Sequence, residues 1–392
     1  MIIIINMRNI ELGQYFTTNI ELKNKIFEFI LNEPLNILEP CIGRGDLVIY
    51  ISDKIKDITF DMYEIDKTIE LLDNINKDDI IFANFLNEMI TKRYRTIIGN
   101  PPYIRTKKGN LYIDFINKCY NLLENDGELI FIVPSDFFKL TSSSRLLVEM
   151  MMNGTFTHIY HPHNEKLFEK ANIDVIIFRY CKNNSLEKRL NYNDEIKYIN
   201  NNNGLITFTL EPQINNSNMI KDYFDVYVGL VSGKEEIYKN DKLGNIEVIN
   251  GENKIDKYIY IQNYPCESDD INNYLLENKT KLLTRTIIKF NETNWFKWGA
   301  PRNINVMINN KNEDCIYIYN LTRKEKIAFI GKINYFGGNL LMLKPKKEYD
   351  LNKIVSYLNS DLFKNQFMFS GRFKIGHRQL SNSIIQNSYL LF

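Results

Sequence analysis

Short, largely apolar runs alternate with amphipathic stretches along the first 180 residues of the chain. Several of these runs are apolar almost throughout, as strands buried on both faces of a sheet must be. Residues 111–125 instead repeat their apolar positions at helical spacing and stop before Gly127, which predicts a helix. The strands predicted from this pattern are residues 35–40, 58–66, 79–85, 95–100, 127–135, 155–162 and 173–180.

The order of these elements predicts the fold of the N-terminal part. Strands and helices in alternation form a parallel sheet with helices on both faces. We therefore predict an α/β fold with a doubly wound, mostly parallel, seven-stranded Rossmann-like sheet. Asparagine-rich stretches at 200–203 and 214–218 mark its expected end, so the predicted domains are residues 1–215 and 216–392. Strand-like runs that predict a mixed α+β second domain are residues 257–261, 315–320, 327–330 and 340–343.

Composition places the chain among soluble proteins of two ordinary domains. It has 392 residues, of which 44% are hydrophobic. Its longest apolar start, Ile2 to Ile5, is far shorter than the roughly 20 residues of a membrane-spanning helix, and no small-residue cleavage site follows it. The five cysteines are scattered without a C-x-x-C pair. Of the histidines at 158, 161 and 163, two lie in a strand-plus-proline turn without acidic or cysteine partners nearby. We expect a cytoplasmic protein without membrane segment, disulfide framework or metal site.

The net charge of +1 conceals a marked asymmetry between two parts of the chain. Residues 279–392 carry 19 Lys and Arg against 7 Asp and Glu, a surplus of +12, which leaves −11 for residues 1–278. Such a split indicates a polyanion-binding module in the C-terminal part. A solvated lysine-rich surface is the alternative that this count leaves open.

Candidate ligand-binding residues follow the first two predicted strands, at the sheet edge where open parallel sheets bind ligands. The sequence EPCIGRGD, residues 39–46, contains two glycines that let the backbone pass close beneath a ligand. It lacks both the G-K-S/T of a P-loop and the full G-x-G-x-x-G fingerprint. The second strand ends near Glu64, whose carboxylate suits the two hydroxyls of a ribose. Together these features predict a nucleoside-like cofactor without a pyrophosphate.

The fourth predicted strand runs into the sequence NPPY, residues 100–103. The side-chain carbonyl of Asn100 and the main-chain carbonyl of Pro101 can both accept hydrogen bonds from one amino group, because Pro101 and Pro102 fix the local φ angles. Two such acceptors draw the lone pair of an exocyclic amine out of conjugation with its ring, which makes the amine a nucleophile. Tyr103 can stack on the face of that ring. A strand that simply ends in a proline turn is the structural alternative.

In this order the motifs resemble those of the gamma-type amino-methyltransferases, which methylate the exocyclic N6 of adenine in DNA with S-adenosyl-L-methionine, as restriction–modification enzymes do. The resemblance extends over residues 11–180 and implies a methyltransferase sheet followed by a DNA-recognition domain. Its further motifs are GQYFTT (13–18), FANF (82–85), GELIFIVPSDFF (127–138) and KLFEKANIDVIIF (166–178).

The resemblance implies a role for each cofactor-binding residue. The segment with Phe16 and Thr17 would close over the methionine end, Glu64 would bind the ribose, and Phe85 would flank the adenine. Asn84 stands where the family usually has an aspartate that accepts from the adenine amino group, so we expect weaker cofactor binding. The implied cofactor-binding residues are Phe16, Thr17, Glu39, Gly43, Gly45, Glu64, Asn84, Phe85 and Asn100.

The implied reaction is a direct in-line attack by the amino group of an adenine flipped out of double-stranded DNA. Asn100 and Pro101 would hold the amino group, while Tyr103 and Phe168 would sandwich the base. The implied catalytic residues are Asn100, Pro101, Pro102, Tyr103 and Phe168.

Two basic stretches of the C-terminal part, residues 294–303 and 369–380, are the expected DNA contacts. Arginines grip phosphates or read guanine edges, and glycines permit close approach to the backbone. Tryptophans buried in a β core are the alternative reading of the first stretch. The predicted DNA-binding residues are Trp298, Arg302, Arg372, Lys374, His377 and Arg378.

Two further classes of function share some of these features. N-P-P-Y also occurs in enzymes that methylate an RNA base or a glutamine of a protein, and a non-catalytic DNA-specificity protein would share the basic C-terminal part. The resemblance favours a monomeric site-specific DNA methyltransferase, with a separate cognate restriction endonuclease as its functional partner.

Overall fold

The structure is a computed structural model that describes residues 13–106, 109–169, 172–183, 188–202, 205–210, 212, 218–369 and 372–385. The chain divides into two compact units, Met1–Ile214 and Asn215–Phe392. Within the described ranges, no helix has the length and apolar character needed to cross a bilayer.

The N-terminal unit is built on one large sheet with helices packed against it. Its helices are α1 (Ile20–Glu28), α2 (Asp46–Ser52), α3 (Leu111–Leu122) and α4 (Ser144–Met152). The strands of the sheet are β1 (Asn36–Glu39), β2 (Thr59–Glu64), β3 (Ile80–Phe82), β4 (Tyr94–Gly99), β7 (Leu123–Pro134), β8 (Gly154–Tyr160), β9 (Val175–Lys182), β10 (Arg189–Tyr192), β11 (Glu195–Asn202) and β12 (Leu205–Thr209). A small hairpin, β5 (Arg105–Thr106) and β6 (Gly109–Asn110), follows β4.

The strand order is β12-β11-β10-β8-β9-β7-β4-β1-β2-β3. All pairings among β7, β4, β1, β2 and β3 are parallel, and β9 runs antiparallel to both of its neighbours. The predicted α/β fold with a mostly parallel sheet is confirmed, and its seven strands are all present. Three strands that the sequence analysis did not anticipate, β10 to β12, extend the sheet at one edge.

Part of the first asparagine-rich stretch lies inside the sheet and not at the edge of the domain. Asn200 to Asn202 belong to β11 and pair with β12. The Asn200 amide donates to Thr209 Oγ1 at 2.8 Å, and the preceding Ile199 is buried in the core. Asparagine is unfavourable in strands on average, but here one face of β11 is fixed by apolar packing, which overrides that preference.

The central strands are held at one end by a buried carboxylate. Glu128, at the start of the apolar part of β7, accepts hydrogen bonds from Thr96 Oγ1 of β4 at 2.8 Å and from the backbone of Leu31 and Asn32 beyond α1. Arg179 of β9 completes the set with an ion pair at 2.7 Å. Because both charges are buried, each depends on the other for compensation. The network joins β4, β7 and β9 to the segment that follows α1.

The C-terminal unit is a mixture of short helices and antiparallel strands. Its helices are α5 (Ile220–Tyr223), α6 (Glu235–Tyr238), α7 (Asp269–Glu277), α8 (Lys279–Leu283), α9 (Ile304–Asn309), α10 (Leu351–Asn359), α11 (Asp361–Lys364) and α12 (His377–Ser381). Its strands are β13 (Phe224–Val228), β14 (Ile246–Gly251), β15 (Lys254–Tyr258), β16 (Asp314–Tyr319), β17 (Leu321–Thr322), β18 (Ala328–Lys332), β19 (Leu340–Pro345), β20 (Met368–Phe369) and β21 (Arg372–Lys374).

These strands form three separate pieces of sheet. Four strands pair in the order β13-β19-β16-β18, β14 pairs with β15, and β17-β21-β20 form a small third sheet. Two apolar cores lie in this unit, one containing Trp295 and Trp298 and the other packed around Leu358 and Phe363.

Candidate active site

A cleft opens at the carboxyl ends of β1, β2 and β4, as expected for an open parallel sheet. It contains about 960 Å³ of empty space, part of which is open to solvent. Eight of the nine predicted cofactor-binding residues line it: Phe16, Thr17, Glu39, Gly43, Glu64, Asn84, Phe85 and Asn100.

Gly45 is the ninth predicted residue, and it does not line the cleft. It precedes α2 with a φ of +97°, a conformation that favours glycine. A Cβ at this position would lie 2.4 Å from Cγ1 of Ile75. The structure therefore assigns Gly45 a role in backbone conformation and packing instead of the predicted contact with the cofactor.

The segment of residues 13–17 closes one side of the cleft, and its side chains meet the loop after β1. A Cβ on Gly43, whose φ is +58°, would be in van der Waals contact with the ring of Phe16 at 3.4 Å. The Arg44 guanidinium lies 4.9 Å from the centre of the same ring. Phe16 thus holds the closing segment against the glycine loop.

Glu64, at the end of β2, is fixed by the backbone around it. Its carboxylate accepts from the N–H groups of Gly43 at 3.0 Å, Ile65 at 2.9 Å and Asp66 at 2.8 Å. Burial raises its pKa, and the three backbone hydrogen bonds oppose that effect. A carboxylate has about four acceptor positions. About one position therefore remains for a ligand hydroxyl.

Glu39, at the end of β1, lies deeper in the structure. Burial raises the pKa of its carboxyl to about 8, while the hydrogen bond from the Cys41 N–H, at 3.2 Å, works in the opposite direction. The carboxyl is therefore mainly protonated at neutral pH. Burial also raises the pKa of the neighbouring Cys41 thiol well above its ordinary value, so this cysteine is a poor nucleophile.

Asn84 and Phe85 follow β3 and form the far wall of the cleft. The Asn84 side-chain oxygen accepts from the Leu86 N–H at 3.1 Å and so caps a short 3₁₀ turn, Phe85–Asn87. The Phe85 ring is stacked on Phe115 at a centroid distance of 5.6 Å, and the Lys118 ammonium lies 4.7 Å from its centre. Asn84 is exposed, whereas the Phe85 ring is almost fully packed by protein.

The amide of Asn100 is oriented by three neighbours. Its Nδ2 donates to the main-chain oxygen of Tyr15 at 2.7 Å and to Thr17 Oγ1 at 3.1 Å, while its Oδ1 accepts from the Tyr103 hydroxyl at 2.6 Å. Burial raises the pKa of Tyr103 well above its ordinary value, so the hydroxyl stays protonated and donates. Because a carbonyl oxygen has two lone pairs, Oδ1 can accept one further hydrogen bond. Of the two prolines between Asn100 and Tyr103, Pro101 is buried and Pro102 lines the cleft.

The structure brings the predicted aromatic pair together, but not as parallel plates. The ring centroids of Tyr103 and Phe168 lie 6.3 Å apart, with an angle of 79° between the planes. The Tyr15 ring is stacked on Tyr103 at 5.4 Å and 26°, and it also touches Phe168 at 5.9 Å. Tyr15 was not among the predicted site residues, although it belongs to the GQYFTT motif.

Two further side chains near this site were not predicted from the sequence. Each has a buried polar atom without a hydrogen-bond partner among the described residues: Gln14 Nε2 and the Tyr112 hydroxyl. Gln14 lines the cleft, and the Tyr112 ring meets that of Tyr103 edge-on at 6.1 Å. Buried polar groups are normally paired, so an unpaired group beside a cleft is the signal of a ligand contact.

One of the three histidines has the acidic partner that its sequence neighbours did not reveal. His161 Nε2 lies 2.9 Å from a carboxylate oxygen of Asp174, and both side chains are buried. The other ring nitrogen of His161 lies 3.1 Å from the Tyr192 hydroxyl. The pair connects the two ends of the loop that carries Phe168.

The predicted DNA-binding residues of the C-terminal unit fall into two groups. Trp298 is in the core, where its exposed fraction is 3% and its indole N–H donates to the oxygen of Ile259 at 2.9 Å. Its prediction as a DNA contact is therefore not supported, because the indole packs in the apolar core with Trp295 and its N–H is already paired. Arg302, Lys374 and His377 are exposed, and Arg372 and Arg378 are half-buried.

The raised pKa of Glu39 predicts a pH-dependent stability of the ligand-free protein. Between the ordinary value of 4.5 and about 8, the folded state retains a proton that the unfolded chain releases, so the free energy of unfolding falls as pH rises through this window. Glu39→Gln, a neutral isostere, should gain on the wild type by up to about 4 kcal/mol between pH 5 and 8.5. Urea unfolding of both proteins measures this difference.

The control for this experiment is Glu70→Gln, because Glu70 is exposed. Its difference from the wild type should stay nearly constant with pH. A constant difference for Glu39→Gln as well would contradict the raised pKa.

A second prediction concerns Asn84→Asp. One carboxylate oxygen can keep the cap on Leu86 while the other accepts from an amino group, and an ionised acceptor makes the stronger hydrogen bond. We expect about 5-fold tighter binding of S-adenosyl-L-methionine by calorimetry. The matched control is Asn76→Asp, since Asn76 caps the preceding 3₁₀ turn outside the cleft and should change nothing. Equal or weaker binding by Asn84→Asp would place the adenine amino group elsewhere.

Comparison with known proteins agrees with this geometry. Residues 47–168 match the model of the Eco57I restriction-modification methylase family. The chain is 31% identical over 205 residues to the Type II methyltransferase M.HincII of Haemophilus influenzae, covering 46% of this chain and 39% of that protein. It is 26% identical over 201 residues to M.MjaIV of Methanocaldococcus jannaschii, covering 43% of this chain and 65% of the relative. The matched stretch is thus less than two fifths of M.HincII.

Two solved structures share the fold over most of the chain. The Type IIL restriction-modification enzyme MmeI, solved in complex with DNA, covers 92% of this chain and 63% of its own, with a TM-score of 0.59 at 12% identity. The DrdV–DNA complex covers 87% of this chain and 50% of its own, with a TM-score of 0.52 at 10% identity. These two matches show a shared fold. The match of residues 47–168 to the Eco57I methylase model confirms the resemblance to restriction-modification methyltransferases that is seen in the sequence.

Proposed function

We propose that this protein transfers a methyl group from S-adenosyl-L-methionine to the exocyclic N6 of adenine in double-stranded DNA. The observation that carries the proposal is the position of Asn100. Its side chain lines the cleft, its amide orientation is fixed by Tyr15 and Thr17, and its oxygen retains an acceptor position. The group that would grip the target amine therefore lies at the wall of the candidate cofactor site.

The residues of the cleft fit S-adenosyl-L-methionine, and the methylase family match supports this cofactor. Glu64 offers an acceptor to a ribose hydroxyl, and Phe85 and Asn84 provide an apolar wall and an amide for an adenine. Phe16 and Thr17 would cover the methionine end from the closing segment. When bound, this cofactor supplies an electrophilic methyl group.

The chain's own contribution to the reaction is positioning. Asn100 Oδ1 and the Pro101 carbonyl would accept the two hydrogens of the target amino group and direct its lone pair into the cleft. Tyr103, whose hydroxyl is fixed by Asn100 Oδ1 and by the Ile132 carbonyl at 3.1 Å, would present its ring to the base. The methylated amine is acidic and can lose its proton to water, so the mechanism needs no side-chain base.

DNA is favoured over the alternative substrates by the comparisons. The named relatives are Type II methyltransferases, and the MmeI and DrdV structures, both complexes with DNA, cover about nine tenths of this chain. RNA-base and protein-glutamine methyltransferases usually have a small accessory domain, whereas the second unit here has 178 residues. A non-catalytic DNA-specificity protein would not need the Asn100 amide to be oriented by three hydrogen bonds.

We assign the main DNA-binding surface to the C-terminal unit. Its basic surplus lies in residues 279–392, whereas residues 215–278 carry 6 Lys and Arg against 12 Asp and Glu. Around β21 the residues alternate: Phe373 and Ile375 are buried, and Lys374 points to solvent. The proposed contacts are Arg302, Arg372, Lys374, His377 and Arg378. A monomeric state, a cytoplasmic location and a separate cognate endonuclease stay predictions.

The decisive experiment offers tritiated S-adenosyl-L-methionine with duplex DNA, RNA or protein to the full chain and to Asn100→Ala. We expect label only in DNA, as N6-methyladenine after hydrolysis. Loss of the amide acceptor should reduce the single-turnover rate at least about 100-fold, or about 3 kcal/mol of transition-state stabilisation.

Cofactor binding by Asn100→Ala, measured by calorimetry, should stay within about 3-fold of the wild type. Thr17→Val is the matched control, because it removes one of the two acceptors that orient Asn100 but leaves the amide in place. Its rate should fall much less. Label in RNA or protein, or a near-normal rate for Asn100→Ala, would contradict the proposal.

The DNA-binding assignment predicts a change in salt dependence. Replacing Arg372, Lys374 and Arg378 together by Gln should flatten the log–log salt slope of DNA binding by roughly 2 to 3 units if all three contact phosphates. Fluorescence anisotropy with a random-sequence duplex measures it. Replacing the exposed Lys56, Lys67 and Lys77 of the N-terminal unit by Gln is the matched control. Equal slopes for the two triple variants would rule out the predicted surface.

A further inference from the structure

The site proposed for the target base already contains an aromatic ring. Tyr15 is stacked on Tyr103 at a centroid distance of 5.4 Å, with 26° between the planes, and its ring touches Phe168 at 5.9 Å. Tyr15 therefore contacts both of the aromatic residues that the proposed function assigns to the base. Like its neighbours in the motif, Phe16 and Thr17, Tyr15 also lines the cofactor cleft.

The present spacing leaves no room for a base between Tyr103 and Phe168. A flat ring held between two parallel faces needs about 7 Å between them, because each stacking gap is about 3.5 Å. The two centroids are 6.3 Å apart, and the planes are nearly perpendicular. One face of Tyr103 is covered by Tyr15, while Tyr112 meets the ring edge-on at 6.1 Å. A base can stack on that covered face only if the Tyr15 ring leaves it.

The main chain of Tyr15 is held in place independently of its ring. Its carbonyl oxygen accepts from Asn100 Nδ2 at 2.7 Å, and the following Thr17 accepts from the same nitrogen at 3.1 Å. On the other side, Gly13 has a φ of +61°, and a Cβ there would lie 2.5 Å from the side chain of Ile104. The ring can therefore swing about its side-chain torsions while the backbone keeps Asn100 oriented.

We propose that Tyr15 competes with the target base for the face of Tyr103. This inference rests on the proposed function. The Tyr15 ring occupies the stacking site in the free protein and gives it up to a base that stacks more strongly. Displacing the ring costs the same whichever base binds, so the competition lowers the affinity for every base by a common factor.

The competition can be measured without a recognition sequence and without catalysis. The full chain is saturated with S-adenosyl-L-homocysteine, so that nucleosides do not bind at the cofactor site. The affinities of adenosine and cytidine are then determined by saturation-transfer NMR titration. Wild type, Tyr15→Ala and Tyr15→Phe are compared, and Tyr15→Phe keeps a ring of nearly the same size.

Tyr15→Ala should bind adenosine about 2- to 10-fold more tightly than the wild type, since an aromatic pair of ordinary strength no longer has to be broken. Cytidine should gain by about the same factor, since both bases must displace the same ring. Tyr15→Phe should behave like the wild type. Adenosine binding by Tyr15→Ala that is absent, unchanged or weaker would overturn the proposal, because it would make Tyr15 a support of the site and not its competitor.

If the Tyr15→Ala variant does not fold, a second variant provides the same test. Tyr15→Leu retains apolar bulk without a flat ring and should show the same direction of change. Retained binding of S-adenosyl-L-homocysteine verifies that each variant is folded. The methylation experiment distinguishes a failure of the Tyr15 proposal from a failure of the proposed function. A wild type that methylates DNA together with unchanged adenosine affinity in the variants overturns the role of Tyr15 alone, whereas a wild type that labels no DNA overturns the proposed function.

Discussion

The N-terminal unit depends on one side-chain amide, that of Asn100. The two N–H groups of this amide bind the closing segment through Tyr15 and Thr17, and its oxygen receives the hydroxyl of Tyr103. An aspartate of the same shape would have no N–H to donate, and an alanine would make none of these three hydrogen bonds. The amide therefore determines where the cofactor cleft ends and where the aromatic site begins.

The two carboxyl groups beside the cleft, those of Glu39 and Glu64, differ in their surroundings. Glu39 is packed so deeply that its carboxyl holds a proton at neutral pH, whereas three backbone N–H groups surround Glu64. Two carboxyl groups at the ends of neighbouring strands thus have different environments. Glu64 keeps about one acceptor position for a ligand, whereas burial favours the protonated form of Glu39.

Much of the sheet could be predicted from sequence because strands buried on both faces leave a continuous apolar run. The motifs after β1, β2 and β4 could be placed as well, because parallel strands bring their carboxyl ends to one edge. The edge strands β10 to β12 were missed, since a polar run such as Asn200 to Asn202 carries no strand signal without its neighbours. Trp298 was misassigned because aromatic and basic residues alternate both in a core and on a surface.

The contacts between distant segments could not be read from the sequence. The pairing of His161 with Asp174 and the stacking of Tyr15 on Tyr103 join residues that have no common spacing. Only the folded chain reveals that a residue of the closing segment lies where the target base is expected.

The buried pair of Glu128 and Arg179 supports β4 at the end far from the candidate site. Glu128 accepts from Thr96 of β4, which lies four residues, or about 13 Å, before Asn100. One end of β4 is thus fixed by charge and hydrogen bonds, while the N-P-P-Y loop follows the other end. Substitutions in that loop would leave the buried network in place. The two ends of this short strand therefore differ: the buried network fixes the first end, and the N-P-P-Y loop extends the second.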